Sequence, residues 1–167
     1  MGPYNAPLGD TLAIPAFIPP QSLAAGTYNT TGVVDMSVTG QAEAIVGSGT
    51  LGTSGTIDFK FQYSSDKTTW YDVPTSAYGS KAAITQITAN NTFAKLTLRA
   101  EALAGLGGTV LGAARYVQGV MTVGGSTASE AFALIQTADV KFEPNAHYND
   151  NAAVASNALY TTSNTSA

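Results

Sequence analysis

Apolar and polar positions alternate with a period of two through much of this chain. The clearest run is TIDFKFQY, residues 56–63, with Ile57, Phe59, Phe61 and Tyr63 on one face and Thr56, Asp58, Lys60 and Gln62 on the other. A strand is the only regular element that sorts side chains this way. Its apolar face is large, and burying each such side chain contributes roughly 1.5–3 kcal/mol. FAKLTLRAEA, residues 93–102, repeats the pattern, with Ala94, Leu96, Leu98 and Ala100 facing in and Lys95, Thr97, Arg99 and Glu101 facing out. Residues 32–46 predict a further strand, because Val34, Met36 and Val38 alternate with Asp35 and Ser37. RYVQGVMTV (115–123) and EAFALIQTADVKF (130–142) predict long strands, and TWYDV (69–73) and ITQIT (84–88) short ones.

The intervening residues are turn formers. SSDKT (64–68) and GGST (124–127) read as turns. GSGTLGTSG, residues 47–55, predicts a mobile loop, with four glycines and no helix former. It lacks the Gly-Lys-Ser/Thr of a phosphate-binding loop. The nearest approach to helical periodicity is AEALAGL, residues 100–106, enough for one turn. The pattern predicts an all-β domain, an antiparallel β-sandwich of seven or eight strands, jelly-roll-like or immunoglobulin-like.

Two flanking segments differ. Residues 1–25 are rich in proline, which excludes a helix and makes a poor central strand. They also carry Tyr4, Leu8, Leu12, Ile14, Phe17, Ile18 and Leu23, too apolar for a solvated linker. They read as an extended arm. Either the arm clamps a neighbouring molecule, or it folds back to cover an edge of its own sandwich. Residues 144–167 are small, polar and nearly uncharged. The expected division is an arm at 1–25, a sandwich at 26–143 and a polar tail at 144–167.

Composition narrows the function. The chain has 167 residues, of which 11% are charged, and a formal charge of −4. A nucleic-acid surface needs clustered Lys and Arg, so no such partner is expected. With no cysteine there is no disulfide, thiolate zinc site or cysteine nucleophile. His147, the single histidine, sits in the polar tail without a recognisable nucleophile or orienting group. The prolines interrupt the N-terminal apolar run and no basic residue precedes it, so neither a secretory signal nor a membrane span is expected. Synthesis in the cytoplasm follows as the expectation.

Candidate chemistry is sparse. Asp35, Asp58, Asp72 and Glu101 suggest the paired carboxylates of a glycosidase, but their alternation with apolar residues places them on solvated faces. Trp70, Tyr71 and Tyr78 offer either an aromatic platform for sugars or rim packing. Arg115, at a strand start beside Tyr116, offers a partner for a carboxylate, either at a subunit contact or within the fold. The expectation is a protein that is not an enzyme and needs no cofactor, metal or small-molecule substrate.

Three stretches, FKFQYSSDKTTWYDV (59–73), LTLRAEA (96–102) and ARYVQGVMTVGG (114–125), together resemble the small β-sandwich decoration, or cement, proteins of tailed-bacteriophage capsids. The resembling pattern is an aromatic strand, a Ser-Asp turn, a Trp-containing return strand, and an Arg-Tyr-Val strand ending in Val-Gly-Gly. It covers somewhat under half of the chain. The resemblance implies a homotrimer on the outer surface of the virion that binds the major capsid protein and clamps neighbouring capsomers, with no catalytic residues. The residues expected at capsid or subunit contacts are Leu8, Ile14, Phe17, Ile18, Leu106, Leu111 and Arg115. The alternative function is a glycan- or host-surface-binding module of a phage tail or fibre.

Overall fold

The computed structural model describes residues 12–74, 83–103, 106 and 114–140, with backbone alone at 138–140. It is an all-β sandwich of two antiparallel sheets. The strands are β1 (Ala13–Leu23), β2 (Gly26–Asn29), β3 (Val34–Asp35), β4 (Thr39–Ser48), β5 (Thr56–Ser64), β6 (Tyr71–Asp72), β7 (Phe93–Arg99), β8 (Tyr116–Gly124) and β9 (Ser129–Val140). A single helical turn, α1 (Ala100–Leu103), follows β7. One sheet has the order β1-β9-β4-β7. The other has the order β2-β8-β5-β6, with β3 also paired to β8.

The two inner faces differ in size. The second sheet contributes Ile57, Phe59, Phe61, Val117, Met121 and Val123, all essentially buried. The first contributes Ala16, Ala42, Ala44, Ala131 and Ala133 among Ile18, Val46, Leu96, Leu98 and Ile135. Large rings on one sheet therefore meet small side chains on the other, the interdigitation that close packing requires. Phe59 and Phe61 stand edge to face, with ring centroids 5.7 Å apart. Phe59 also lies across Gly119 of β8, where any Cβ would strike its ring.

The four-stranded sheet settles the role of the proline-rich segment. Residues 13–23, expected as an extended arm, are strand β1, paired to β9 from Ala13↔Thr137 to Leu23↔Ser129. The register shifts twice, between Ala13 and Ala16 and between Ile18 and Gln21. Pro15 lies in the first shift, and Pro19 and Pro20 in the second. A residue without an N–H is tolerated on an edge strand or at a bulge, and these prolines have both. The outer edge of β1 is itself covered. Phe17 N–H donates to Thr31 O at 3.1 Å, and Thr31 N–H and Oγ1 each donate to Phe17 O at 2.8 Å. Gly32, with φ +84°, passes so close to the Pro15 carbonyl that a side chain would collide with it. Of the two roles open to the arm, residues 13–23 take the edge-covering one.

Three other expectations change. The strand expected over 32–46 is two strands in different sheets. The break is a turn in which Asp35 Oδ1 accepts from Ser37 N–H (3.0 Å) and Ser37 Oγ (2.6 Å). An Asp side chain that captures a backbone donor two residues on favours a turn over an extended chain. The loop expected to be mobile is tied down. The N–H groups of Gly49, Thr50, Leu51, Gly52 and Thr53 donate in turn to Glu130 O, Glu130 Oε2, Asn90 Oδ1, Ser129 Oγ and Thr127 Oγ1, at 2.7–3.1 Å. Its glycines permit that close approach: a Cβ on Gly52 would meet the Thr127 carbonyl. Residues 84–88 make single bridges rather than a strand. With Ala83, they run along the edge of β5 through Ala83↔Lys60 and Ile87↔Ile57.

Phe61→Ala should cost about 3–5 kcal/mol in urea unfolding, because a ring so enclosed leaves a cavity the sheets cannot close. A loss below about 1 kcal/mol would show that the inner face has been misassigned.

Candidate functional site

Two surfaces bring chemistry-bearing residues together. The first is the outer face of the four-stranded sheet. Register places Thr97, Glu43 and Gln136 in one row, Lys95, Ile45 and Leu134 in the next, and Phe93, Gly47 and Phe132 in a third. Glu43 is the polar hub. It accepts from Lys95 Nζ at 3.2 and 3.3 Å, Thr97 Oγ1 at 3.4 Å and Gln136 Nε2 at 2.8 Å. Beyond Ile45 the face turns apolar. Phe17 of β1 lies next to Leu134. The Phe132 ring lies over Gly47, occupying the space of a side chain. Phe93 is 69% exposed. An aromatic–aliphatic patch beside a charged hub has the composition of a contact surface.

The second surface is one end of the sandwich, where β8 begins. Arg115 donates from Nε to both carboxylate oxygens of Asp35 at 2.9 Å, and from Nη2 to Oδ2. Burial pushes the Asp35 carboxyl up. The Arg115 guanidinium and the Ser37 hydroxyl and N–H outweigh that effect and hold it below the ordinary carboxylate value. Asp35 in turn raises Arg115. The Tyr116 ring has Lys67 Nζ 4.4 Å from its centre and the Arg115 guanidinium carbon at 5.0 Å. Asp66 lies well below the carboxylate range because Thr69 N–H, Thr68 and Ser64 Oγ all hydrogen-bond to it. This cluster closes the β5–β6 turn: Ser64 Oγ accepts from Asp66 N–H (3.2 Å) and Lys67 N–H (2.9 Å).

The residues expected at contacts are scattered. Ile14 and Phe17 are half-buried in β1. Ile18 is 4% exposed and belongs to the protein's own core, which corrects its assignment as a contact residue. Leu106 packs partly against the core. Arg115 is exposed, but its carboxylate partner is Asp35 of the same chain. Leu8, Leu111, Tyr78 and His147 lie outside the described residues. The carboxylates do not converge. Asp35 is held by Arg115, Asp58 accepts from Gln86 at 2.8 Å, and Asp72 from Lys60 at 2.6 Å and Gln62 at 2.8 Å. Lys60 and then Gln62 keep Asp72 below its ordinary value. Among the described residues, no three His, Asp or Glu side chains cluster as a metal site would require. Tyr71 stacks at a tilt on Tyr63, 5.7 Å away, and Trp70 is half-buried.

Sequence reading missed Glu43, Ile45, Phe93, Phe132 and Leu134. The available signal was the outward phase of 41–47 and 132–136, where apolar residues stand at positions expected to be polar.

No protein-family model matches the chain, and no curated protein matches it.

The Asp35–Arg115 pair gives a pH test. A carboxyl lowered by folding stabilises above its unfolded value and loses that contribution as pH falls through the folded one. Asp35→Asn should therefore melt roughly 2–4 °C below the wild type at neutral pH. The gap should close once the pH falls well below about 3.9. A gap that persists in acid would mean that the carboxylate charge is not what stabilises this corner.

Proposed function

We propose that this protein is a structural virion component, a decoration protein that binds the outside of a tailed-phage head and strengthens contacts between capsomers. The observation that carries this reading is where the chain ends leave the sandwich. β1 begins at Ala13 opposite Thr137, and β9 ends at Val140 opposite Thr39. The start of β1 and the end of β9 therefore lie side by side at one end of the four-stranded sheet. Arms leaving a rigid body from two such adjacent points would suit a clamp. An extended arm spans up to about 3.3 Å per residue, enough to cross a joint between subunits. Small energies per copy become large when repeated over a shell.

With residues 13–23 inside the sheet, the clamp falls to the residues before them. The acidic balance and low charge would leave packaged DNA unattractive to this surface. The second reading, a glycan- or host-surface-binding module, draws support from Tyr71, which is 55% exposed beside Tyr63.

Cosedimentation with undecorated phage heads tests the first reading. The full chain should bind. Deleting residues 2–11 should leave melting unchanged while reducing head affinity at least tenfold, an effect of about 1.4 kcal/mol. A full chain that fails to sediment with any such head sinks the proposal. Saturable glycan binding that Tyr71→Ala abolishes would put the second reading in its place.

A further inference from the structure

A β-sandwich has to deal with the outer strands of both sheets, because an unpaired strand edge is a template for another chain. Most edges here are blunted. β1 carries three prolines and two register shifts and is capped by Thr31. β5 is flanked by β6 and by the bridges at Ala83 and Ile87. β2 and β3 are short segments. β7 differs. It has seven residues, no proline and an unbroken register with β4, from Gln41↔Arg99 to Gly47↔Phe93.

The phase of that ladder shows which groups β7 offers. Ser48 N–H donates to Thr92 O at 2.8 Å. By the alternation of an antiparallel ladder, Ala94, Leu96 and Leu98 bond to β4. The N–H and C=O groups of Phe93, Lys95 and Thr97 then point away from it. Among the described residues, no backbone group pairs with them.

We propose that β7 is a self-pairing edge: β7 of a second copy of this chain adds to it antiparallel across a two-fold axis, joining the two four-stranded sheets into one. The side-chain pattern selects the register. Directly opposed residues must share a face, so the axis falls on Lys95, Leu96 or Thr97. An axis on Lys95 sets Lys95 against itself. An axis on Thr97 sets Lys95 against Arg99 of the second copy. Both oppose like charges, which is destabilising. An axis on Leu96 opposes Lys95 with Thr97 of the second copy, and Phe93 with Arg99 of the second copy. That register covers the exposed Phe93 ring with a guanidinium, a favourable cation–π arrangement. A two-fold contact closes on itself, so the edge is consumed rather than propagated into a fibre.

This inference does not rest on the decoration reading and is tested apart from it. Light scattering of the full chain at high micromolar concentration should give twice 17.0 kDa. Thr97→Pro removes an outward N–H without touching the β4 ladder. Thr97→Lys sets a lysine opposite Lys95 of the second copy. Both variants should give half the wild-type mass, with unchanged sheet content by circular dichroism and amides at Lys95 that exchange faster. Three outcomes overturn the proposal. One is a wild type of 17.0 kDa, including one whose Lys95 amide is protected because residues of its own chain cover the edge. The second is a mass that neither variant changes. The third is a trimer of three times 17.0 kDa that survives Thr97→Lys.

Discussion

The structure depends on fitting the Phe59 and Phe61 rings between two sheets. Sheets packed face to face lie about 10 Å apart, too little for large side chains to meet large side chains at every point. The chain resolves this by asymmetry. β5 supplies the rings, β4 and β9 present alanines at their centres, and Gly119 gives Phe59 room within its own sheet. An alanine enlarged to leucine at position 44 or 133 would crowd this core, and overpacking of that kind destabilises as surely as a cavity does.

Once the sheets are held apart by those rings, chain reversals between them have to be made at the ends of the sandwich. Three of the described turns are built from polar side chains that capture backbone donors. Asp35 turns the chain from β3 to β4 and is fixed there by Arg115, eighty residues on. Ser64 and Asp66 hold the turn after β5. Ser129 and Glu130 receive the donors of the loop that enters β5. In a chain with so few charges, hydroxyls and short carboxylates take over the surface work that Lys and Glu do elsewhere. No buried polar side-chain atom among the described residues lacks a partner.

The described surface is organised by strand register and by pairwise polar contacts. Asp35, Glu43, Asp58 and Asp72 are each engaged by an arginine, lysine or side-chain amide of their own chain. The distinctive surface is the outer face of the four-stranded sheet, which joins an apolar patch, a regular strand edge and the departure points of both chain ends. That surface is the common ground between the proposed decoration role and the proposed pairing of β7.

The sequence by itself determined the fold class and the inward face of its best strands. Ile57, Phe59, Phe61, Leu96 and Leu98 are buried as their alternation required. A period of two is a local property, and local sterics enforce it. The same reasoning stopped short wherever the answer lay with a distant partner. Proline content marked residues 1–25 as a poor central strand, yet nothing local shows that β9 would accept residues 13–23 as an edge. The glycine loop reads as mobile because its acceptors lie far along the chain, at Asn90 and at 127–130. The alternation through Val34, Met36 and Val38 conceals a corner that depends on Asp35 meeting Arg115. Outward apolar residues such as Ile45, Phe132 and Leu134 are marked only by their phase within the strand, which does not say that they share one face. Only register, set when three strands come together, places them on one exposed face.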